Sequence, residues 1–217
     1  MKLKTFFGGI LMAAALLTGC ASAPASSTAS VSTTDVASSV ASSTISTSAA
    51  PSATSETTDS RDTLIVYYSY TGTTRRVAEH LQNLTGGTLY ELTLTDPYTG
   101  SSNDVSDRVF EERDNGMPEL AGELPDLSQY NRILIGTPVW NDSMANPVLS
   151  YLQQTDFDGK TIAPFWTYIT NQGSTEKDFA KQSQNAHVAS GLALRSANSI
   201  PDEKLDQQLN DWLQSIS

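Results

Sequence analysis

From residue 61 onward the sequence predicts an α/β protein whose parallel sheet is covered by helices on both faces. Apolar runs at 63–68, 131–136 and 161–168 lack the polar alternation of a half-exposed strand. Such runs are typical of parallel strands that are buried on both faces. Segments with apolar residues at helical spacing separate them. This alternation of strands and helices favours a doubly covered parallel sheet.

Each element of the first half has its own signal. The run at 63–68 is rich in β-branched and aromatic residues and predicts the first strand. Apolar residues recur at helical spacing within 77–84 and predict a helix, which Gly86 and the glycine after it end. Residues 88–94 predict a second strand. A long polar connection follows, and we expect one short helix in it at 105–113.

The second half continues the alternation. Pro147 suits the first turn of a helix, and the last helix follows Pro201 with an apolar stripe that includes Leu205, Leu209 and Trp212. The predicted elements are, in order, a strand at 131–136, a helix at 147–153, a strand at 161–168, a helix at 175–183, a strand at 191–197 and the final helix. Ligands of such sheets lie at the carboxyl ends of the strands, so the loops after the first, third and fourth strands are candidates for a site.

The N-terminus has the pattern of an export signal. Lys2 and Lys4 precede an apolar stretch at 6–17, which is the length of a signal-peptide core and short for a membrane span. It ends in Leu-Thr-Gly-Cys at 17–20, which resembles the lipobox of bacterial lipoproteins. The resemblance implies that residues 1–19 are a lipoprotein signal peptide and that lipid on Cys20 anchors the protein to the outer side of a cell membrane. The alternative is an ordinary signal peptide with an incidental cysteine.

Residues 20–60 predict a stalk and not a domain. Residues 21–60 consist almost wholly of Ser, Thr and Ala, without Gly or aromatic residues. Such a composition cannot bury enough apolar surface to offset the entropy of an ordered backbone. We therefore expect a disordered stalk that separates the lipid from a folded domain at 61–217. A long stalk suits a thick cell wall and favours a Gram-positive host.

The charge of the chain excludes one class of partner. The chain has 24 acidic and 13 basic residues and a formal net charge of −11. Nucleic-acid binding needs clustered Lys and Arg to neutralise phosphates. We therefore expect no nucleic-acid partner, and we expect the lipid to hold the protein at the membrane.

The first loop, 69–74, reads Ser69-Tyr70-Thr71-Gly72-Thr73-Thr74 between the first strand and the first helix. Hydroxyl groups and backbone N–H groups at a helix N-terminus favour an anion. Gly72 allows the backbone to curl close to a bound group. No P-loop lysine follows, so the loop suits a single phosphate monoester better than a triphosphate. The alternative is a polar turn capped by threonine.

Three segments resemble the flavodoxin family. Tyr67-Tyr-Ser-Tyr-Thr-Gly-Thr-Thr-Arg-Arg-Val-Ala78 is similar to the flavodoxin phosphate loop, Ser/Thr-x-Thr-Gly-x-Thr. Gly136-Thr-Pro-Val-Trp140 and the run at 158–165 resemble the family's second loop and the strand before its third. The resemblance implies a flavodoxin-like three-layer sandwich, with a five-stranded parallel sheet of order 2-1-3-4-5. It also implies a site for flavin mononucleotide (FMN).

The second loop, 137–141, contributes Pro138, Val139, Trp140 and Asn141 to the predicted site. An indole face stacked on a flavin excludes water and tunes its potential. Trp140 is the candidate for this contact, and the alternative is that it packs in the core. The sequence departs from the family here, because Val139-Trp140-Asn141 stands where relatives have paired tryptophans and a glycine.

The third loop, 167–174, matches the family less well. We predict that Thr167, Tyr168, Asn171, Gln172 and Gly173 contribute to the site. Tyr168 would stack on the second face of the flavin, and Asn171 and Gln172 would bond its pyrimidine edge. Gly173 would allow the close approach. The alternative is that this loop has diverged because nothing binds there.

Other chemistries have little support in the sequence. His80 and His187 are far apart without a neighbouring cysteine, so we expect no metal site and two solvent-facing histidines. No Gly-x-Ser-x-Gly turn occurs to present a nucleophile. The acidic cluster of Glu111, Glu112 and Asp114 is expected to be a solvated helix face. A second interpretation is that it docks a basic redox partner.

Two functions remain open at this point. The first is an FMN-dependent electron-transfer or reductase protein at the cell surface, whose flavin exchanges electrons with a partner protein or a quinone. In this case no side chain is named as catalytic, because the cofactor does the chemistry. The second is a flavodoxin-like surface module that binds a partner without a cofactor, since one fold supports many functions.

Overall fold

A computed structural model describes residues 62–217. The predicted signal peptide, the predicted lipidation site Cys20 and the predicted stalk lie outside the described residues. None of the helices in the described part is both long enough and apolar enough to cross a membrane.

Strands and helices alternate through the described part of the chain, as the sequence predicts. The strands are β1 Thr63–Tyr67, β2 Thr88–Glu91, β3 Arg132–Trp140, β4 Ser143–Met144, β5 Thr161–Tyr168, β6 His187–Val188 and β7 Leu192–Arg195. The α-helices are α1 Thr73–Thr85, α2 Ser102–Asn115, α3 Asn146–Gln154, α4 Thr175–Gln182 and α5 Asp202–Ser215, and short 3₁₀ turns cover Leu127–Gln129 and Ala197–Ser199.

The sheet has the predicted order. Its parallel path runs β2-β1-β3-β5, and β6 and β7 both pair in parallel with β5 and together fill the fifth position. This confirms the order 2-1-3-4-5. The remaining strand, β4, is a short antiparallel extension on the end of β3, where Val139 pairs with Met144.

Three strands differ from the prediction by more than one residue. β3 is longer, because its last residues pair with β4. β2 ends at Glu91 and not at 94, since the chain leaves the sheet there and Leu94 bridges to Leu120 in the returning connection. The strand in the fifth position is split into β6 and β7. Between these two pieces, the Ala189 N–H donates to the Ile162 carbonyl oxygen of β5 at 2.9 Å.

Both faces of the sheet are buried, which explains the continuous apolar runs. In β1, Leu64 and Val66 point into a core that contains Tyr151 of α3. The alternate residue Ile65 points into a second core that contains Leu81 of α1 and other residues of α1 and α5. Side chains of successive strand residues point to opposite faces, so no polar face remains on the central strands.

The connections after β1, β3, β5 and β7 leave the same edge of the sheet, because these strands are parallel. This edge is where an α/β sheet binds ligands. It brings together the three predicted loops and one further segment, Ser196–Pro201, which we call the β7–α5 loop.

Candidate functional site

The first loop turns the chain from β1 into α1. Gly72 caps the helix with a φ of 87°, a left-handed conformation that other residues adopt at a cost. No side chain caps this end. The first-turn N–H groups of α1 have no acceptor within the helix and therefore point toward the loop as donors for a bound anion.

The hydroxyl groups of the first loop fall into two sets. The Ser69 hydroxyl is buried and has no hydrogen-bond partner within residues 62–217. Thr71 and Thr73 lie near the surface with their hydroxyl oxygens 3.2 Å apart. The Thr74 hydroxyl is buried and shares a 2.9 Å hydrogen bond with that of Thr167 in β5. Thr74 and Thr167 thus connect the loop to the sheet, whereas the Ser69 hydroxyl can still donate and accept hydrogen bonds.

The two arginines beside the first loop are both paired with other groups. Arg75 binds Glu91 through two hydrogen bonds of 2.6 and 3.2 Å, which raise the pKa of its guanidinium. Arg76 forms an ion pair with Asp202 and also donates to the carbonyl oxygens of Ala197 and Ile200, at 2.8 and 2.9 Å. An anion at this loop would therefore be held mainly by neutral donors.

Trp140 closes the far side of the site from the end of β3. It is half-buried, and three tyrosine rings lie nearly perpendicular to it. The ring centroids of Tyr68, Tyr70 and Tyr98 are 5.5, 5.9 and 5.0 Å from that of Trp140. This geometry is a favourable aromatic arrangement, and it holds the indole in one orientation while part of the indole lines a cavity.

The Tyr98 ring, which packs against Trp140, is held by a polar network that contains Arg108 and Glu112. Arg108 stacks over the Tyr98 ring at 4.4 Å and donates to Glu112 at 2.8 Å, and Glu112 also accepts from the Tyr98 hydroxyl. Burial, reinforced by Glu112, raises the pKa of Tyr98 and keeps its hydroxyl protonated. The prediction that Glu112 lies on a solvated face is wrong, because its side chain is only 11% exposed and binds Tyr98.

The turn after Trp140 is held by α2, the helix that carries Arg108 and Glu112. Asn141 and Asp142 both have positive φ, at 46° and 61°. Arg113 of α2 donates to the backbone oxygens of Trp140 and Met144 at 3.2 Å. The family's glycine is absent here, and hydrogen bonds from α2 hold the turn in a left-handed conformation instead.

The third loop packs against the turn after Trp140. The Asn171 amide donates to the Asp142 carboxylate at 3.0 Å and accepts from the Gly173 N–H at 3.0 Å. Gly173 has a φ of 58°, and a Cβ atom there would lie 1.9 Å from the Asp142 carbonyl oxygen. The close approach that Gly173 allows is thus toward the second loop.

Gln172 turns away from the cavity. Its side-chain oxygen accepts from the Trp166 indole N–H at 3.2 Å. The flavin contacts proposed for Asn171 and Gln172 stay predictions, and in the structure both side chains already stabilise the loop.

A cavity of 540 Å³, which we call the main pocket, lies between these loops. Its lining contains eight predicted residues: Thr71, Thr73, Pro138, Val139, Trp140, Thr167, Tyr168 and Asn171. The structure adds Ile169, Thr170 and four residues of the β7–α5 loop, Ser196, Ala197, Asn198 and Ser199. The sequence did not predict that this loop belongs to the site, because the segment is short and polar and its place after the last strand is the one signal it carries.

A smaller cavity of 350 Å³ lies beside α2. It shares Thr71, Val139 and Trp140 with the main pocket and adds Tyr70 and Asn141 from the prediction. The predicted residues that line neither cavity are Ser69, Gly72, Thr74, Gln172 and Gly173. Gly72, Thr74, Gln172 and Gly173 shape or fasten the loops, whereas the Ser69 hydroxyl is buried without a partner among the described residues.

Among residues 62–217 no group of three or more His, Cys, Asp and Glu side chains is arranged to hold a metal. His187 is exposed, as expected. The prediction that His80 faces solvent is wrong, because its side chain is 17% exposed and lies between α1 and α5. Its Nδ1 is 2.6 Å from the Asp206 carboxylate.

The fold has counterparts among solved structures. A candidate flavoprotein of Bacteroides uniformis is 28% identical, with a TM-score of 0.60 over 71% of this chain and 98% of its own. A second, from Bacteroides eggerthii, is 26% identical, with a TM-score of 0.61 over 71% and 97%. A Lactobacillus acidophilus flavoprotein solved in complex with FMN is 25% identical, with a TM-score of 0.59 over 70% and 99%.

None of the curated proteins matches the sequence. The family profile described as flavodoxin, however, matches residues 62–216, which is nearly the whole of the described part. The profile, the sheet order and the Thr-Gly-Thr turn from β1 into α1 agree, and the chain therefore belongs to the flavodoxin family.

Proposed function

We propose that this protein binds FMN without a covalent bond and transfers electrons through it. The observation that supports this most directly is the first loop, where Thr71 and Thr73 line the main pocket at the start of α1 and the buried Ser69 hydroxyl has no partner among the described residues. The FMN complex of the Lactobacillus acidophilus flavoprotein supports the same cofactor. Bound FMN supplies reversible electron transfer, and the protein sets its position and surroundings.

The donors of the first loop fit a phosphate monoester. Ser69, Thr71 and Thr73 supply hydroxyl groups, and the first turn of α1 supplies backbone N–H groups. Gly72 leaves open space, since nothing lies within 4 Å of where its Cβ would be. This cradle suits the terminal phosphate of FMN and offers no ion pair to it.

The main pocket fits the rest of the cofactor. Its 540 Å³ falls within the range of pockets that hold cofactor-sized ligands, about 300–1,000 Å³. Trp140 and Tyr168 line it from the second and third loops, so a flat ring between them would be shielded from water on both faces.

The partner would meet the cofactor at the open rim of the pocket. Ile169 lines the main pocket and Tyr70 lines the smaller cavity, and these side chains are 75% and 41% exposed. The negative charge of the protein disfavours added negative charge on a flavin, so we expect a low reduction potential. A redox protein or a quinone is the proposed acceptor.

We propose further that lipid on Cys20 anchors the protein outside the cytoplasmic membrane. The export-signal pattern at 1–20 supports this location. Feeding cells an alkyne-labelled fatty acid should label the wild-type protein and leave Cys20→Ser unlabelled. Equal labelling of the two proteins would contradict the anchor.

Trp140 provides the test of the ring site. Trp140→Ala should weaken FMN binding about tenfold or more, because stacking of a flat heterocycle on an aromatic side chain contributes about 1–3 kcal/mol. Trp140→Phe should retain most of the affinity. The measurement is a titration of flavin fluorescence. It compares variants whose free energy of unfolding equals that of the wild type. Unchanged affinity in Trp140→Ala would contradict the ring site, and no FMN binding by the wild type would leave the cofactor-free surface module.

A further inference from the structure

We propose that the β7–α5 loop is a fourth part of the cofactor site and that Asn198 donates a hydrogen bond to the phosphate of FMN. This inference rests on the proposed function and adds a phosphate-binding residue from outside the first, second and third loops. Four successive residues of the β7–α5 loop, Ser196 to Ser199, line the main pocket.

The β7–α5 loop and the residue before it are held by the end of β5 and by the third loop. The Ser196 N–H donates to the Tyr168 carbonyl at 2.7 Å, and Arg195 donates to the Ile169 carbonyl at 2.9 Å. Ser196 has a φ of 50°, an uncommon conformation for a residue other than glycine. Such positions persist where the surroundings fix them, and they are concentrated at functional sites.

Asn198 lies directly on the first loop. Its amide nitrogen donates to the Thr73 hydroxyl at 2.7 Å, and Thr73 is the first residue of α1. An amide nitrogen has two protons, and the bond to Thr73 uses one. The second proton is available beside the N–H groups of the first turn, where a phosphate would bind. Asn198 is exposed, so no packing role accounts for this position.

The contacts of Arg76 explain why the neutral side chain of Asn198, and not a cation, lies beside the proposed phosphate. Its guanidinium donates to the carbonyl oxygens of Ala197 and Ile200 on either side of Asn198 and pairs with Asp202. The Arg76 guanidinium thus fixes the β7–α5 loop, and Arg75 is bound to Glu91. Arg76 is a positioning residue, and the phosphate depends on neutral donors such as Asn198.

This arrangement predicts a specific effect on ligand preference. Within the cofactor, Asn198 would contact the phosphate and no other group, so its replacement should weaken the binding of FMN and leave the binding of riboflavin, which lacks the phosphate, almost unchanged. Asn198→Asp keeps the shape and places a negative charge beside the phosphate. We expect it to weaken FMN binding about 100-fold, and Asn198→Ala about tenfold, because hydrogen bonds to charged groups are among the stronger ones.

The experiment titrates FMN and riboflavin into the purified protein by flavin fluorescence. It compares the wild type, Asn198→Asp, Asn198→Ala and the control Asn83→Ala, which removes an exposed amide elsewhere on α1. The expected result is a lowered ratio of FMN to riboflavin affinity in the two Asn198 variants and an unchanged ratio in the control. Melting temperatures verify that all four proteins are folded.

Two results would overturn the inference alone. One is an unchanged FMN affinity in both Asn198 variants, and the other is an equal loss for FMN and riboflavin, which would make Asn198 a purely structural residue. A wild-type protein that binds neither ligand would overturn the proposed function as well, so the two failures are distinguishable.

Discussion

At the scale of single residues, similar hydroxyl groups of the first loop have two different roles. One stabilises the fold, and the other is free to bind a ligand. The Thr74 hydroxyl of α1 shares a hydrogen bond with the Thr167 hydroxyl of β5, so two buried polar groups satisfy each other. Ser69 has a buried hydroxyl without a partner among the described residues. A buried, unsatisfied polar group costs about 1–3 kcal/mol, so its presence is accounted for if a ligand supplies the missing bond.

This difference predicts opposite outcomes for two small substitutions. Ser69→Ala should leave the free energy of unfolding unchanged or slightly higher without ligand, and should weaken FMN binding several-fold. Thr74→Val should lower the free energy of unfolding by about 1–3 kcal/mol, because the Thr167 hydroxyl loses its partner. Urea unfolding and FMN titration of both variants measure the two quantities. A stability loss in Ser69→Ala as large as that in Thr74→Val would contradict this assignment.

At the scale of elements, the site depends on loops that stabilise one another. Hydrogen bonds from α2 fix the turn after Trp140, the third loop packs on Asp142, and Arg76 joins α1 to the β7–α5 loop. The pocket walls therefore come from separate parts of the chain but are connected by direct contacts. A local change in one loop should reach the wall on the opposite side.

Gly173→Ala tests the contact between the second and third loops. The new Cβ atom would lie 1.9 Å from the Asp142 carbonyl oxygen, so the loops must separate. We expect a loss of unfolding free energy of more than about 2 kcal/mol and weaker FMN binding. Gly122→Ala is the matched control, since Gly122 also has positive φ, at 80°, with open space around it. Equal losses in the two variants would show that backbone strain, and not loop separation, explains the effect.

At the scale of the whole molecule, the fold was predictable because both faces of the sheet are buried. Apolar runs such as 63–68 and 161–168 mark strands without any knowledge of their neighbours. The misjudged residues are those whose partners are distant in the chain. His80 is covered by α5 and bound to Asp206, and Glu112 binds Tyr98.

The candidate site follows the same rule. The first loop is a contiguous motif, and its position at a helix N-terminus could be predicted from the sequence. The β7–α5 loop enters the pocket because Arg76 binds carbonyl groups more than 120 residues away in sequence. No local pattern encodes such a contact, so the Ser-Ala-Asn-Ser segment resembles any polar connection.

The most direct test of FMN binding and electron transfer is a visible absorption spectrum of the purified protein after incubation with FMN and passage through a desalting column. We expect retained flavin absorption that bleaches on addition of dithionite under anaerobic conditions and returns on exposure to an oxidant. A colourless protein at micromolar FMN would contradict flavin binding, and a retained flavin that cannot be reduced and reoxidised would contradict electron transfer.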